Sequence, residues 1–102
     1  MNISKTQNDD QTIFSLSGRL DTITAPKLQE AIIPEFDSAK QVVLDFAEVA
    51  YVSSAGLRVL LMGEKTAIAK GARLTLADVS ADVMEVFEMT GFSDILNITK
   101  SS

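Results

Sequence analysis

Two adjacent serines, Ser53 and Ser54, stand where an extended stretch gives way to an apolar helix. Asp45-Phe46-Ala47-Glu48-Val49-Ala50-Tyr51-Val52 leads into them and Ala55-Gly56-Leu57-Arg58-Val59-Leu60-Leu61 follows. A serine hydroxyl at a helix start can do two things. It can accept a hydrogen bond from a free backbone N–H and so cap the helix. It can also carry or bind a phosphate, because the free N–H groups and the positive end of the helix dipole favour an anion there. Residue types alone leave both uses open, and capping is the commoner of the two. Asp21 is a second candidate, closing the stretch Gly18-Arg19-Leu20-Asp21. In open α/β sheets ligands gather at the carboxyl edge of the strands, where Asp21 is expected. The alternative is an acid that shapes a turn before a helix.

Composition narrows the remaining chemistry. The chain has 102 residues and neither cysteine nor histidine. Thiolate chemistry, Ser-His and Cys-His catalysis and nearly all zinc sites are thereby excluded, and no metal site is expected. Neither a Gly-x-x-x-x-Gly-Lys-Ser/Thr loop nor a Gly-x-Gly-x-x-Gly turn is present, so no cofactor is expected. The net charge is −5 and unevenly placed: Asp78, Asp82, Glu85, Glu88 and Asp94 fall between Leu74 and Thr99 with no Lys or Arg. Such a chain is a poor partner for a phosphate backbone, so direct nucleic-acid binding is not expected. The acidic segment is either a solvated face or a surface for a basic protein.

These residues need a scaffold, and the sequence has the means to build one. Hydrophobic residues make up 46% of the chain, enough for the core of one domain over residues 1–102. No apolar run approaches the ~18 residues that span a bilayer. The start lacks a signal-peptide segment, so a cytoplasmic protein without membrane insertion is the expectation.

Asn2 to Gln7 is read as an edge strand, Asn8-Asp9-Asp10 as a turn, and Thr12 to Leu20 as a strand with Phe14, Leu16 and Leu20 on one face. A helix opens near Pro26, carries Leu28, Ala31, Ile32 and Phe36 inward, and is kinked or ended by Pro34 near Ile33. Gln41 to Phe46 is a strand whose run Val42-Val43-Leu44 predicts burial on both faces. Ala47 to Val52 is read as a loop. The helix from about Ala55 to Lys70 turns Leu57, Leu60, Leu61 and Ile68 to the core and is stopped by Gly71. Val59 and Met62 fall off that face, so the start of this helix is either deeply buried or a docking surface.

Arg73 to Val79 is a further strand. Ser80 caps a helix that Gly91 ends, and Ile95 to Ile98 is a short last strand. The order β-β-α-β-α-β-α-β predicts an α/β fold with a mixed sheet of four to five strands packed by three to four helices.

The chain resembles a STAS domain of the small stand-alone bacterial type, the anti-sigma factor antagonists. The resemblance runs over nearly the whole length. It rests on Gly18-Arg19-Leu20-Asp21, Val42-Val43-Leu44-Asp45 with Val49 and Tyr51-Val52, and Ser53-Ser54-Ala55-Gly56-Leu57. Gly71-Ala72-Arg73-Leu74 and Val86-Phe87-Glu88-Met89-Thr90-Gly91-Phe92 complete it.

It implies a non-enzymatic regulator and a phosphorylation switch. The unphosphorylated antagonist binds an anti-sigma factor that is also a serine kinase, and the sigma factor is released. Phosphorylation ends the binding, and a metal-dependent serine phosphatase resets it. The family motif commonly reads Asp-Ser-Ser-Gly-Leu or Asp-Ser-Ala-Gly-Leu, with the acceptor two residues before the Gly. Here that position is Ser54, and Ser53 replaces the family Asp, which removes a carboxylate and adds a second hydroxyl. Ser54 is the expected acceptor and Ser53 the alternative. Asp21, Ser53, Ser54, Gly56, Arg58 and Met62 are the expected partner-binding residues, and a monomer is expected. Two other readings stay open: a weak nucleotide-binding module with its phosphate at the serines, and a scaffold subunit of a lipid-transport or sensory complex.

Overall fold

A computed structural model describes residues 1–100 of the chain. Five strands, β1 (Asn2–Asn8), β2 (Gln11–Leu20), β3 (Gln41–Val52), β4 (Arg73–Val79) and β5 (Asn97–Lys100), form one sheet in the order β1-β2-β3-β4-β5. The first pair is an antiparallel hairpin and the other three pairings are parallel. Helices α1 (Ala25–Ile32), α2 (Ser54–Ala69) and α3 (Ala81–Thr90) make the crossovers. Each crossover steps to the next strand in the same direction. Crossovers of one hand then lay every helix on the same face of the sheet.

The burial pattern follows from this. Phe14, Leu16, Leu20, Val42, Leu44, Phe46, Leu74 and Leu76 point toward the helices and are buried. Val43, between two of them, is only half-buried. The expectation that Val42-Val43-Leu44 is covered on both faces is therefore corrected: no helix crosses to the second face.

Local signals explain most boundaries. Pro26 lies in the first turn of α1, where a missing N–H costs nothing. Pro34 ends the α-helix, and the chain continues as a 3₁₀ turn, Ile33–Asp37, that seats Phe36 in the core. Ser80 caps α3 by accepting the Val83 N–H at 3.3 Å. Gly91, at φ +80°, closes that helix in the left-handed conformation that costs a residue without Cβ least.

Three further expectations are corrected. Ala47 to Val52 is strand, not loop: it continues β3 and pairs with β2 as far as Leu20 opposite Val52. The last strand is Asn97–Lys100, with Ile95 outside it, following a 3₁₀ turn. On α2, Ile68 is 70% exposed, while Val59 and Gly63 face the core with Leu57, Leu60 and Ala67.

Candidate functional site

The serines owe their position to the neighbouring ends of two strands. Leu20 and Val52 are paired as the last residues of β2 and β3, and the Ser53 N–H extends that pairing by donating to the Leu20 carbonyl at 2.8 Å. Asp21 and Ser53 are thus brought side by side at the carboxyl edge of the sheet.

The chain then turns into α2 at once, and the turn requires Gly56. A Cβ on Gly56 would lie 2.7 Å from Leu20 Cγ and 3.1 Å from the Leu20 carbonyl oxygen. Only a bare backbone lets the first turn of α2 approach β2 this closely. Of the expected partner-binding residues, Gly56 is buried, and its close approach to Leu20 seats the helix start.

The two serines have different work. Ser53 is extended, at φ −88° and ψ 173°, and its Oγ accepts the Gly56 N–H at 3.3 Å. Its carbonyl accepts the Leu57 N–H at 2.9 Å. It is the N-cap, and half-buried. Ser54 is the first residue of α2, is exposed, and makes no side-chain hydrogen bond among the described residues. As N1 and N2 of the helix, Ser54 and Ala55 carry N–H groups with no intrahelical acceptor.

Asp21 lies beside the serines, with its carboxylate turned into its own loop. Oδ1 accepts the N–H groups of Ile23 and Thr24, both at 3.0 Å. The Thr24 hydroxyl accepts the Asp21 N–H at 2.9 Å and donates to the Arg19 carbonyl at 2.7 Å. Chiefly through the Thr24 N–H, these bonds hold the Asp21 carboxyl below the usual carboxylate range. The turn-shaping reading of this acid is thus the one its geometry fits.

Outward of the serines, Arg58 is exposed and Met62 is 37% exposed. Arg58 lines a shallow groove between α1 and α2 with Thr22, Pro26, Gln29 and Ala55, floored by Ala25 and Val59. It also borders a depression along α2 with Leu61, Met62 and Lys65.

Two features at this edge were not read from the sequence. Ile23 stands 81% exposed on the loop that Asp21 closes. Arg19 stacks over the Tyr51 ring at 4.2 Å, with its Nε 3.9 Å from Asp21 Oδ2. The Arg19–Tyr51 pair had no sequence signal, because an irregularity in the β2–β3 register sets Arg19 opposite Tyr51.

The acids of the segment after Leu74 (Asp78, Asp82, Glu85, Glu88 and Asp94) are all exposed and form no ion pair among the described residues. No three metal-ligating side chains gather among the described residues, and no described helix is long and apolar enough to cross a membrane.

Comparison with known proteins gives a consistent result. The STAS domain family model matches residues 2–102. An anti-sigma-B factor antagonist of Listeria monocytogenes is 35% identical over 104 residues, spanning 96% of this chain and 90% of its own. The anti-sigma-B factor antagonist of Bacillus subtilis is 28% identical over 102 residues, spanning 100% of this chain and 94% of its own. Among solved structures, the anti-sigma factor antagonist SpoIIAA in its unphosphorylated form superposes with a TM-score of 0.82 at 17% identity, covering 97% of this chain and 89% of that one. SpoIIAA in its phosphorylated form gives a TM-score of 0.75 at 16% identity, covering 97% and 92%. At those identities the superpositions establish the shared fold.

Proposed function

The chain belongs to the STAS domain family, and from that premise we propose that it is an anti-sigma factor antagonist switched by phosphorylation of Ser54. In the unmodified state it binds an anti-sigma factor that is also a serine kinase, and the sigma factor is released. The kinase transfers a phosphoryl group from a nucleoside triphosphate. The Ser54 Oγ–P bond forms, the β–γ bridge breaks, the diphosphate leaves and the hydroxyl proton passes to a base on the kinase. A metal-dependent phosphatase hydrolyses the ester and restores the hydroxyl. The chain itself acts as partner and substrate rather than as catalyst.

The observation that carries this reading is the division of labour between the serines. Ser53 Oγ is engaged as the cap, while Ser54 Oγ is exposed and free of hydrogen bonds among the described residues. A kinase can reach Ser54 without dismantling the helix start. The modified state is compatible with the same fold, because the open N–H groups of the first turn favour a phosphate there. Added charge of about −1.5 to −2 and a bulky hydrated group then act on the partner across the interface. The docking face comprises Ser53, Ser54, Arg58 and Met62, with Asp21 shaping the adjoining loop.

The test is phosphosite mapping with the cognate kinase and ATP. One phosphate on Ser54, absent from Ser54→Ala, is the expected result. Phosphate on Ser53 would move the acceptor by one residue, and no phosphate from an active kinase would sink the switch.

A further inference from the structure

We propose that Arg58 serves both states of the switch. In the unmodified chain its guanidinium is available to an acidic group of the partner, and after modification it is taken up by the phosphate on Ser54. The inference rests on the reading of Ser54 as the acceptor and adds the means by which the phosphate acts on the docking face.

Ser54 and Arg58 are one turn apart on α2, and both are exposed. At that spacing their Cβ atoms lie about 5–6 Å apart on one helix face. Side chains on a helix lean toward its N-terminus, so the side chain of Arg58 covers the turn that Ser54 begins. Arg58 forms no ion pair among the described residues. A phosphate on Ser54 offers three acceptor oxygens to a planar fork that binds such groups in pairs. Asp21, on the loop beside the serines, spends its Oδ1 on that loop and has Arg19 beside its Oδ2.

The partner's chemistry follows from the charge of the face. The chain as a whole carries −5, yet the stripe of α2 that continues from Ser54 (Arg58, Leu61, Met62, Lys65 and Ala69) holds two cations and no acid, while the half-buried Glu64 of the same helix faces the other way, beside Arg73 and Ile95. A surface that opposes the sign of its own protein is complementary to an anionic, partly apolar patch. Arg58 stands where the α1–α2 groove meets the depression along α2, so it is the cation such a patch reaches beside Ser54. Lys65 is 11 residues from Ser54, which is about 16 Å along the axis and beyond the reach of a phosphate. Phosphorylation therefore adds an anion to the face and also neutralises the cation one turn away.

The experiment places phosphoserine at residue 54 of the full chain during translation, so that no kinase is needed. The phosphate is titrated by phosphorus NMR in the wild-type background, in Arg58→Gln and in Lys65→Gln. Pairing predicts a second phosphate pKa about 0.3 of a unit or more higher in Arg58→Gln than in wild type, with Lys65→Gln unchanged. Equal values in wild type and Arg58→Gln would overturn the pairing. In parallel, the affinity of the unmodified chain for the kinase is expected to fall about fivefold or more in Arg58→Gln. An unchanged affinity would overturn the partner half of the proposal. A kinase that never modifies Ser54 would sink the functional reading, and the NMR result would remain a measurement of the pair.

Discussion

Replacing Gly56 by alanine sets two effects of opposite sign against each other. Within a helix, Gly→Ala ordinarily stabilises by about 1 kcal/mol. Here the added methyl would meet Leu20 Cγ at 2.7 Å, Cδ2 at 3.0 Å and the Leu20 carbonyl oxygen at 3.1 Å. Carbon atoms in favourable contact stand about 3.5–4.0 Å apart, and carbon and carbonyl oxygen about 3.3–3.6 Å, so all three approaches are too close. Leu20 cannot retreat cheaply. It is fully buried, and its carbonyl accepts the Ser53 N–H at 2.8 Å. Overpacking of this kind costs about 1–3 kcal/mol, and more where backbone must move.

The clash is therefore expected to win, with a net loss of up to about 2 kcal/mol and a fall in Tm of up to roughly 15 °C. Gly63→Ala is the comparison. Its new Cβ would meet Leu74 Cδ2 at 3.1 Å and Ile32 Cδ1 at 3.3 Å, looser contacts that involve no backbone atom and need only small shifts at the ends of two buried side chains. It should fall within about 1 kcal/mol of wild type. Urea unfolding followed by far-ultraviolet circular dichroism measures both. Gly56→Ala at or above wild-type stability, with Gly63→Ala the weaker protein, would refute the argument that α2 is seated by contact with Leu20.

Glu35 is the buried acid of the fold, and its carboxylate accepts Thr12 Oγ1 at 2.8 Å and Gln7 Nε2 at 2.9 Å and pairs with Lys5 Nζ at 2.9 Å. The Lys5 bond, with that of Thr12, holds its pKa below the usual value, so its contribution to stability is complete above the unfolded pKa and is lost as pH falls through the folded one. Glu35→Ala, which strands the buried Thr12 hydroxyl, should cost about 2–4 kcal/mol at pH 7, and Glu35→Gln should lose less stability than wild type on acidification below about pH 5; parallel acid limbs in urea titrations would contradict this. Ser53→Ala should cost about 1 kcal/mol and Ser53→Asp nearly nothing, since both Ser and Asp cap well. Equal stability of all three proteins in the same titrations would remove Ser53 from the cap.

Most of the scaffold could be read from the sequence, because its elements carry regular periods and marked ends. Pro34 and Gly91 stop helices by backbone chemistry alone, and the alternation through Phe14, Leu16 and Leu20 places β2 correctly. The second half of β3 was lost because its burial runs in threes. Ala47 and Glu48 are exposed before buried Val49, and Ala50 and Tyr51 before buried Val52. Shifts in its register against β2 insert extra residues and erase the period of two. The serine pair was visible at its strand-to-helix junction, but the assignment of one hydroxyl to the cap and the other to solvent needed coordinates. Glu35 left no trace, since its hydrogen-bond partners lie 23 and 28 residues away in the hairpin.

The topology also bears on what kind of recognition this edge can support. Crevices for small ligands in open α/β sheets open where the strand order reverses and helices part to opposite faces. Here β2 to β5 follow one another without reversal, and the helices share one face. No such crevice forms at the carboxyl edge where Asp21 and Ser53 meet. Ser54 sits instead on an exposed rim, between the loop bearing Ile23 and the outer face of α2 with Arg58 and Met62. An exposed rim gives a small substrate little enclosure, whereas a protein partner can lie across such a surface. Under the proposed switch, a phosphate on Ser54 would reach the partner directly, without a cleft to open or a domain to move. The exposed rim thus suits the docking face proposed above, with its one free hydroxyl at Ser54.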